Sequence, residues 1–187
     1  EISVIDHKAM RDKFEAYLDK SRLDYDLTFL YGIRTRIPLQ GNGPRCMFAS
    51  ENKVIIPTYF ADVLNILDKE TLELTSIPLN LDRTETDEQK GERYFNDAAK
   101  CFQNWQSCNG CHPGDARTDG MNWDLMNDGI GNSKNCKSLL FSHVTPPCMI
   151  SGIRESAELA VRAGFRYIQF YEPEEDMSLC VDAYLKS

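Results

Sequence analysis

The chain has 187 residues, of which 42% are apolar and 27% charged, and carries a formal net charge of −8. This is the composition of a folded globular protein of one ordinary domain or two small ones, and not of a disordered chain. The acidic balance argues against nucleic acid as a partner, because phosphate binding needs a basic face, and no apolar run approaches the roughly 20 residues that cross a bilayer.

The opening Ile2-Ser3-Val4-Ile5-Asp6 reads as a strand, with no start methionine ahead of it, as in a processed or truncated piece of a longer protein. From residue 7 to about 20, Met10, Phe14, Tyr17 and Leu18 fall on one face at helical spacing and predict an amphipathic helix packed on a sheet. Ile37-Pro38-Leu39 leads into the turn cluster Gly41-Asn42-Gly43-Pro44. Four short strands are expected next, at 46–49, 54–59, 63–68 and 72–79. Thr86 and Gln89 have the spacing of a capping box, with Asp87 and Glu88 early and Lys100 late, so a helix is expected from 86 to about 103. The expected organisation is α+β, with a β-rich part at 1–82 and a mostly helical part at 86–187.

Chemistry concentrates in the cysteines, of which there are seven: Cys46, Cys101, Cys108, Cys111, Cys136, Cys148 and Cys180. Cys108-Asn109-Gly110-Cys111-His112 is C-x-x-C-H, the attachment signature of a c-type haem. Two thioether bonds fix two edges of the porphyrin, and the histidine after the second cysteine can ligate the iron. A zinc site using Cys108, Cys111, His112 and Cys136 is a rival reading, but no second C-x-x-C or paired histidine follows. A dithiol redox motif would follow a buried strand, whereas the residues ahead of Cys108 read as helical and polar. If haem takes two cysteines, five remain, enough for two disulfides with at least one free thiol. Candidates for a second iron ligand are Met121, Met126, His143, Met149 and Met177. Arg154, Arg162 and Arg166 are candidate partners for haem propionates, Arg154 first among them. Trp105 and Trp123 are candidate pocket walls.

Residues 54–59 and 63–68, Thr71 and Ile77-Pro78-Leu79 resemble one blade of the YVTN-type β-propeller repeat, and Ile2-Ser3-Val4-Ile5-Asp6 resembles the end of a preceding blade. That resemblance implies an antiparallel propeller fragment whose missing blades lie elsewhere or on another chain, since closure takes at least about four. Residues 86–187 resemble a cytochrome c domain: the C-x-x-C-H motif lies between Gly91-Glu92-Arg93-Tyr94-Phe95 and Val181-Asp182-Ala183-Tyr184-Leu185-Lys186. The resemblance implies a helix crossing made by Gly91, Phe95 and Tyr184. Thr118-Asp119-Gly120, Asn127-Asp128-Gly129 and His143 to Gly152 are similar to the bacterial di-haem cytochrome c peroxidase family and its propeller-fused relatives, although Pro147 and Met149 stand closer together than in that pattern. This likeness implies Met149 as the second iron ligand.

The resemblances together imply a c-type cytochrome domain with one covalent haem c for electron transfer, attached to a β-propeller and serving a redox protein partner. A peroxidase-like enzyme subunit is the alternative, although this chain has one C-x-x-C-H where that family uses two haems. A propeller scaffold with a structural or sensing haem is the other. Because such attachment takes place outside the bacterial cytoplasm, the expected location is the periplasm or cell surface.

Overall fold

Ile2 and Val4 turn inward and Ser3 and Ile5 outward along β1 (Ile2–Ile5), the alternation of a half-covered strand. The computed structural model describes residues 1–79, 84–124 and 131–187, and the chain divides into two units, Glu1–Asn80 and Leu81–Ser187. In the first, Asp6 caps α1 (His7–Ala16), its side chain accepting the Ala9 N–H at 2.9 Å. The helix is shorter than its sequence pattern, because the chain turns extended at Tyr17. β2 (Arg34–Ile37) returns antiparallel to β1, with Ile2 opposite Ile37 and Ile5 opposite Arg34.

β3 (Phe48–Ala49), β4 (Lys53–Thr58), β5 (Val63–Asp68) and β6 (Leu74–Pro78) form a four-stranded antiparallel meander in chain order. Ile56 and Leu67 are its most buried apolar residues. Asn65, fully buried at the centre of β5, accepts from the Gln40 N–H (3.1 Å) and Ser76 Oγ (2.8 Å) and donates to the Gln40 carbonyl (3.0 Å). A buried amide is tolerated when both its ends are engaged in this way.

The expected propeller is not observed. The described strands form a two-, a four- and a second two-stranded sheet, none of them closed. β1 pairs with β2 in a two-stranded sheet, so residues 2–5 form half of a short ribbon and not the end of a four-stranded blade. The likeness arose because short apolar phrases broken by polar turns are common to any antiparallel meander.

In the second unit the Thr86–Gln89 capping box opens α2 (Asp87–Asn96), with both reciprocal bonds formed. The helix stops at Asn96 rather than near 103, because Asp97 is extended and its side chain accepts the Ala99 N–H, starting a new turn. Two one-turn segments follow, α3 (Cys108–Cys111) and α4 (Pro113–Ala116). The two-residue strands β7 (Asn122–Trp123) and β8 (Lys134–Asn135) then pair antiparallel, a sheet that the mostly helical expectation lacks. α5 (Ala157–Tyr167) and α6 (Glu175–Lys186) complete the unit.

α2 and α6 cross closely at Gly91, where an added Cβ would stand 1.9 Å from the Cys180 carbonyl oxygen and 2.8 Å from Tyr184 Cβ. One turn on, the Phe95 and Tyr184 rings meet at 5.3 Å. Phe95, Ala116, Phe165, Met177 and Val181 form the core, with Cys108, Leu139 and Tyr184 packed against it.

Candidate functional site

Cys108 and Cys111 sit at the two ends of one helical turn, and spacing of i and i+3 puts both side chains on the same face. The His112 N–H closes the turn on the Cys108 carbonyl at 2.9 Å. Cys108 packs on the apolar core, and burial pushes its thiol up to about 12. Burial likewise lifts Cys111 to about 11, and its Sγ donates weakly to Gln106 Oε1 at 3.7 Å. His112 Nδ1 lies 3.3 Å from the Arg117 carbonyl, and Cys136 Sγ lies 3.9 Å from Nε2; the tautomer with its hydrogen on Nδ1 would donate to that carbonyl. Burial holds the His112 imidazole below its ordinary pKa, favouring the neutral form that a metal needs.

Around this turn, Asp119 donates its N–H to the Cys111 carbonyl at 3.1 Å and accepts from the Met121 N–H (2.9 Å) and Trp123 Nε1 (2.8 Å). Cys136 Sγ donates to the Cys111 carbonyl at 3.1 Å and stands 3.6 Å from His112 Nδ1. Sequence spacing suggested Cys136 only as a zinc ligand, and among the described residues no group of three or more His, Cys, Asp or Glu side chains converges as a metal site.

Met149 and Arg154 share a second segment, a loop closed by two backbone bonds between Cys148 and Arg154. Met149 has φ +71° and is 38% exposed. The Arg154 guanidinium lies 5.8 Å from the centre of the Tyr167 ring, and its Nε is buried without a partner. Among the other ligand candidates, Met177 is core, Met121 is exposed, His143 is bonded to Asp182, and Met126 lies outside the described residues. Arg162 pairs with Asp182 and Glu175 and Arg166 with Glu172, which leaves Arg154 as the arginine with a buried free donor. Trp105 is half exposed, while Trp123 is partly buried on Asp119.

Cys108, Cys111 and His112 are the residue types that a haem c takes: two thiols one turn apart on one face, with a histidine directly after the second. Met149 and Arg154 belong to the separate Cys148–Arg154 loop.

No family model matches the chain. It is similar to the gamma subunit of hydrazine synthase from Kuenenia stuttgartiensis, at 40% identity over 57 residues. That alignment covers 30% of this chain and spans 16% of the relative's length. A solved structure of Kuenenia stuttgartiensis hydrazine synthase, pressurized with xenon, superposes with a TM-score of 0.45 at 23% identity, over 60% of this chain and 45% of that one.

The gamma-subunit match overturns the family resemblances drawn from the sequence, since it is neither to a YVTN propeller nor to a di-haem cytochrome c peroxidase. The glycine–aromatic helix crossing that suggested a cytochrome c domain is a general solution to close helix packing. Reading the chain as a single-haem electron carrier on a propeller is likewise not retained, nor are the peroxidase-like and scaffold alternatives, because the sequence relative is a subunit of a synthase.

Proposed function

We propose that this chain is part of a subunit of a multi-chain enzyme of the hydrazine synthase kind, and that Cys108, Cys111 and His112 hold a covalent haem c within it. The observation that carries the reading is the turn itself: Cys108 and Cys111 share one face, and the Arg117 carbonyl, 3.3 Å from His112 Nδ1, orients the ring. The gamma-subunit relative supports assembly with other chains. Bound there, the haem would supply redox chemistry at its iron. This chain's own residues attach it, orient His112 and, through Arg154, neutralise a propionate. Met149 is the proposed second iron ligand, on the loop that also carries Arg154. Attachment of this kind takes place outside the cytoplasm, so the proposed location is the periplasm or the cell surface.

The test is production in a host that attaches haem c, followed by intact-mass measurement and haem staining after denaturing electrophoresis. The expected result is one haem per chain, lost in the double variant Cys108→Ala/Cys111→Ala. An unmodified mass from that host would overturn the assignment. Purification from the native source is expected to bring other subunits with it, and recovery of the chain alone would refute the assembly.

A further inference from the structure

Cys136 is a thiol that haem attachment does not use, yet the fold holds it against the attachment turn. It follows β8, and its backbone is tied on both sides to the loop after the turn. Its N–H donates to the Met121 carbonyl at 2.8 Å, and its carbonyl accepts from Thr118 Oγ1 at 2.9 Å. The same loop returns to the turn through Asp119, whose N–H donates to the Cys111 carbonyl at 3.1 Å. Cys136 Sγ donates to that carbonyl as well, also at 3.1 Å. Both lone pairs of one carbonyl oxygen are thus used, and the thiol is fixed within a short closed frame.

From there the sulfur lies 3.6 Å from His112 Nδ1 and 3.9 Å from Nε2. The two nitrogens flank Cε1, so a sulfur in the ring plane at these distances would crowd that carbon. The nearly equal distances therefore put it over the imidazole, and not on the line of either nitrogen's lone pair. The Arg117 carbonyl, 3.3 Å from Nδ1, meets the ring from another segment. The backbone of Lys137, the residue after Cys136, also faces the ring.

The outer torsion of a histidine is broad, so its neighbours have to choose where the ring points. A polarisable sulfur makes favourable contact with a ring, and the groups behind a metal-binding histidine commonly fix its orientation. We propose that Cys136 is the positioning residue for His112, its sulfur clamping the imidazole so that the ring keeps one direction when haem is held at Cys108 and Cys111. The clamp belongs to the chain with or without haem, while its purpose rests on the haem reading. Cys136 stays a thiol throughout, and no bond is made or broken at it.

Two measurements test the clamp. In the reduced, haem-free full chain, carbon-13 relaxation at the Cε1–H groups reads the motion of each histidine ring. There are three histidines, His7, His112 and His143, so single His→Gln variants assign the signals. The expected result is a His112 ring as rigid as the backbone, loosened in both Cys136→Ala and Cys136→Ser. Serine keeps a donor for the Cys111 carbonyl but lacks the reach of sulfur, so it separates the frame from the clamp. In the haem-loaded chain, electron paramagnetic resonance is expected to give one set of g values, moved or split in both variants. A mobile His112 ring in the wild type, an equally rigid ring in a folded Cys136→Ala chain, a serine variant indistinguishable from wild type, or unchanged g values in both loaded variants would each overturn the proposal. A wild-type chain that takes no haem from an attachment-competent host refutes the haem reading instead, and ring relaxation still decides the clamp. If the Cys136 variants fail to fold, the wild-type relaxation decides alone.

Discussion

Substituting Gly91 by alanine tests the packing of the second unit at its narrowest point. A Cβ there would stand 1.9 Å from the Cys180 carbonyl oxygen and 2.5 Å from its carbon, both of them backbone atoms that no rotamer change can move. Real Cβ contacts essentially never fall below 3.0 Å, so α2 and α6 must part by more than an ångström. A gap of that size forfeits roughly a quarter to a half of the dispersion attraction across the crossing, where Phe95 and Val181 are almost fully buried. Overpacking of this kind costs about 1–3 kcal/mol, against a gain of up to about 1 kcal/mol from alanine's better helix propensity. The clash involves backbone, so we place the net loss at about 2 kcal/mol, or roughly 8–16 °C in the melting temperature of a unit this size. Gly164 supplies the control: it lies inside α5, and an added Cβ would meet nothing within 4 Å. Gly164→Ala should therefore stabilise by up to about 1 kcal/mol. Thermal and urea unfolding followed by circular dichroism measure both variants. A Gly91→Ala protein as stable as the wild type would refute the close crossing.

Further predictions concern single contacts. Asn65→Ala leaves the Gln40 N–H and the Ser76 hydroxyl without their shared, part-buried acceptor, and urea denaturation should show a loss of about 1–3 kcal/mol in the first unit. Thr86→Ala removes one half of the capping box and should cost about 1 kcal/mol, read as a lower thermal midpoint. The Lys186 ammonium beside Glu158 holds that carboxyl down to about 2, from an ordinary value near 4.5. The folded pKa is the lower one, so the contact stabilises above about pH 4.5 and its contribution disappears as the pH falls towards 2. Both groups are well exposed, so Glu158→Gln should cost well under 1 kcal/mol at pH 7, and the variant and wild-type acid-unfolding curves should converge at the acid end. Cys46 is exposed while Cys101, Cys111 and Cys180 are buried. Brief iodoacetamide treatment of the native chain followed by peptide mapping should therefore label Cys46 well ahead of those three.

Local chemistry was legible in the sequence where it is self-contained. Thr86 and Gln89 announce a helix start because a capping box is satisfied within four residues, and Cys108 to His112 announce a turn because the motif is one. The strands at 54–59 and 63–68 were readable from apolar β-branched runs bounded by turn residues. What failed was the step from local pattern to assembly. Residues 2–6 read equally well as the end of a blade or as half of a two-stranded ribbon, and only the pairing with Arg34–Ile37 decides. The His143–Asp182 pair was missed because its partners are 39 residues apart in the chain. A charged Asp182 beside the apolar run Leu179-Cys180-Val181 was the one available sign.

The crossing of α2 and α6 also works as a clasp on the chain. These are the first and last helices of their unit, and everything between them, including the Cys108–His112 turn and the Met149 loop, is carried on a single long loop that the crossing shuts. Closing such a loop is an entropic cost met once, and it grows only with the logarithm of length, by about 0.6 kcal/mol for each doubling. The intervening segments can therefore gain or lose surface residues cheaply while the clasp holds. Removing α6, by contrast, opens the whole loop at once.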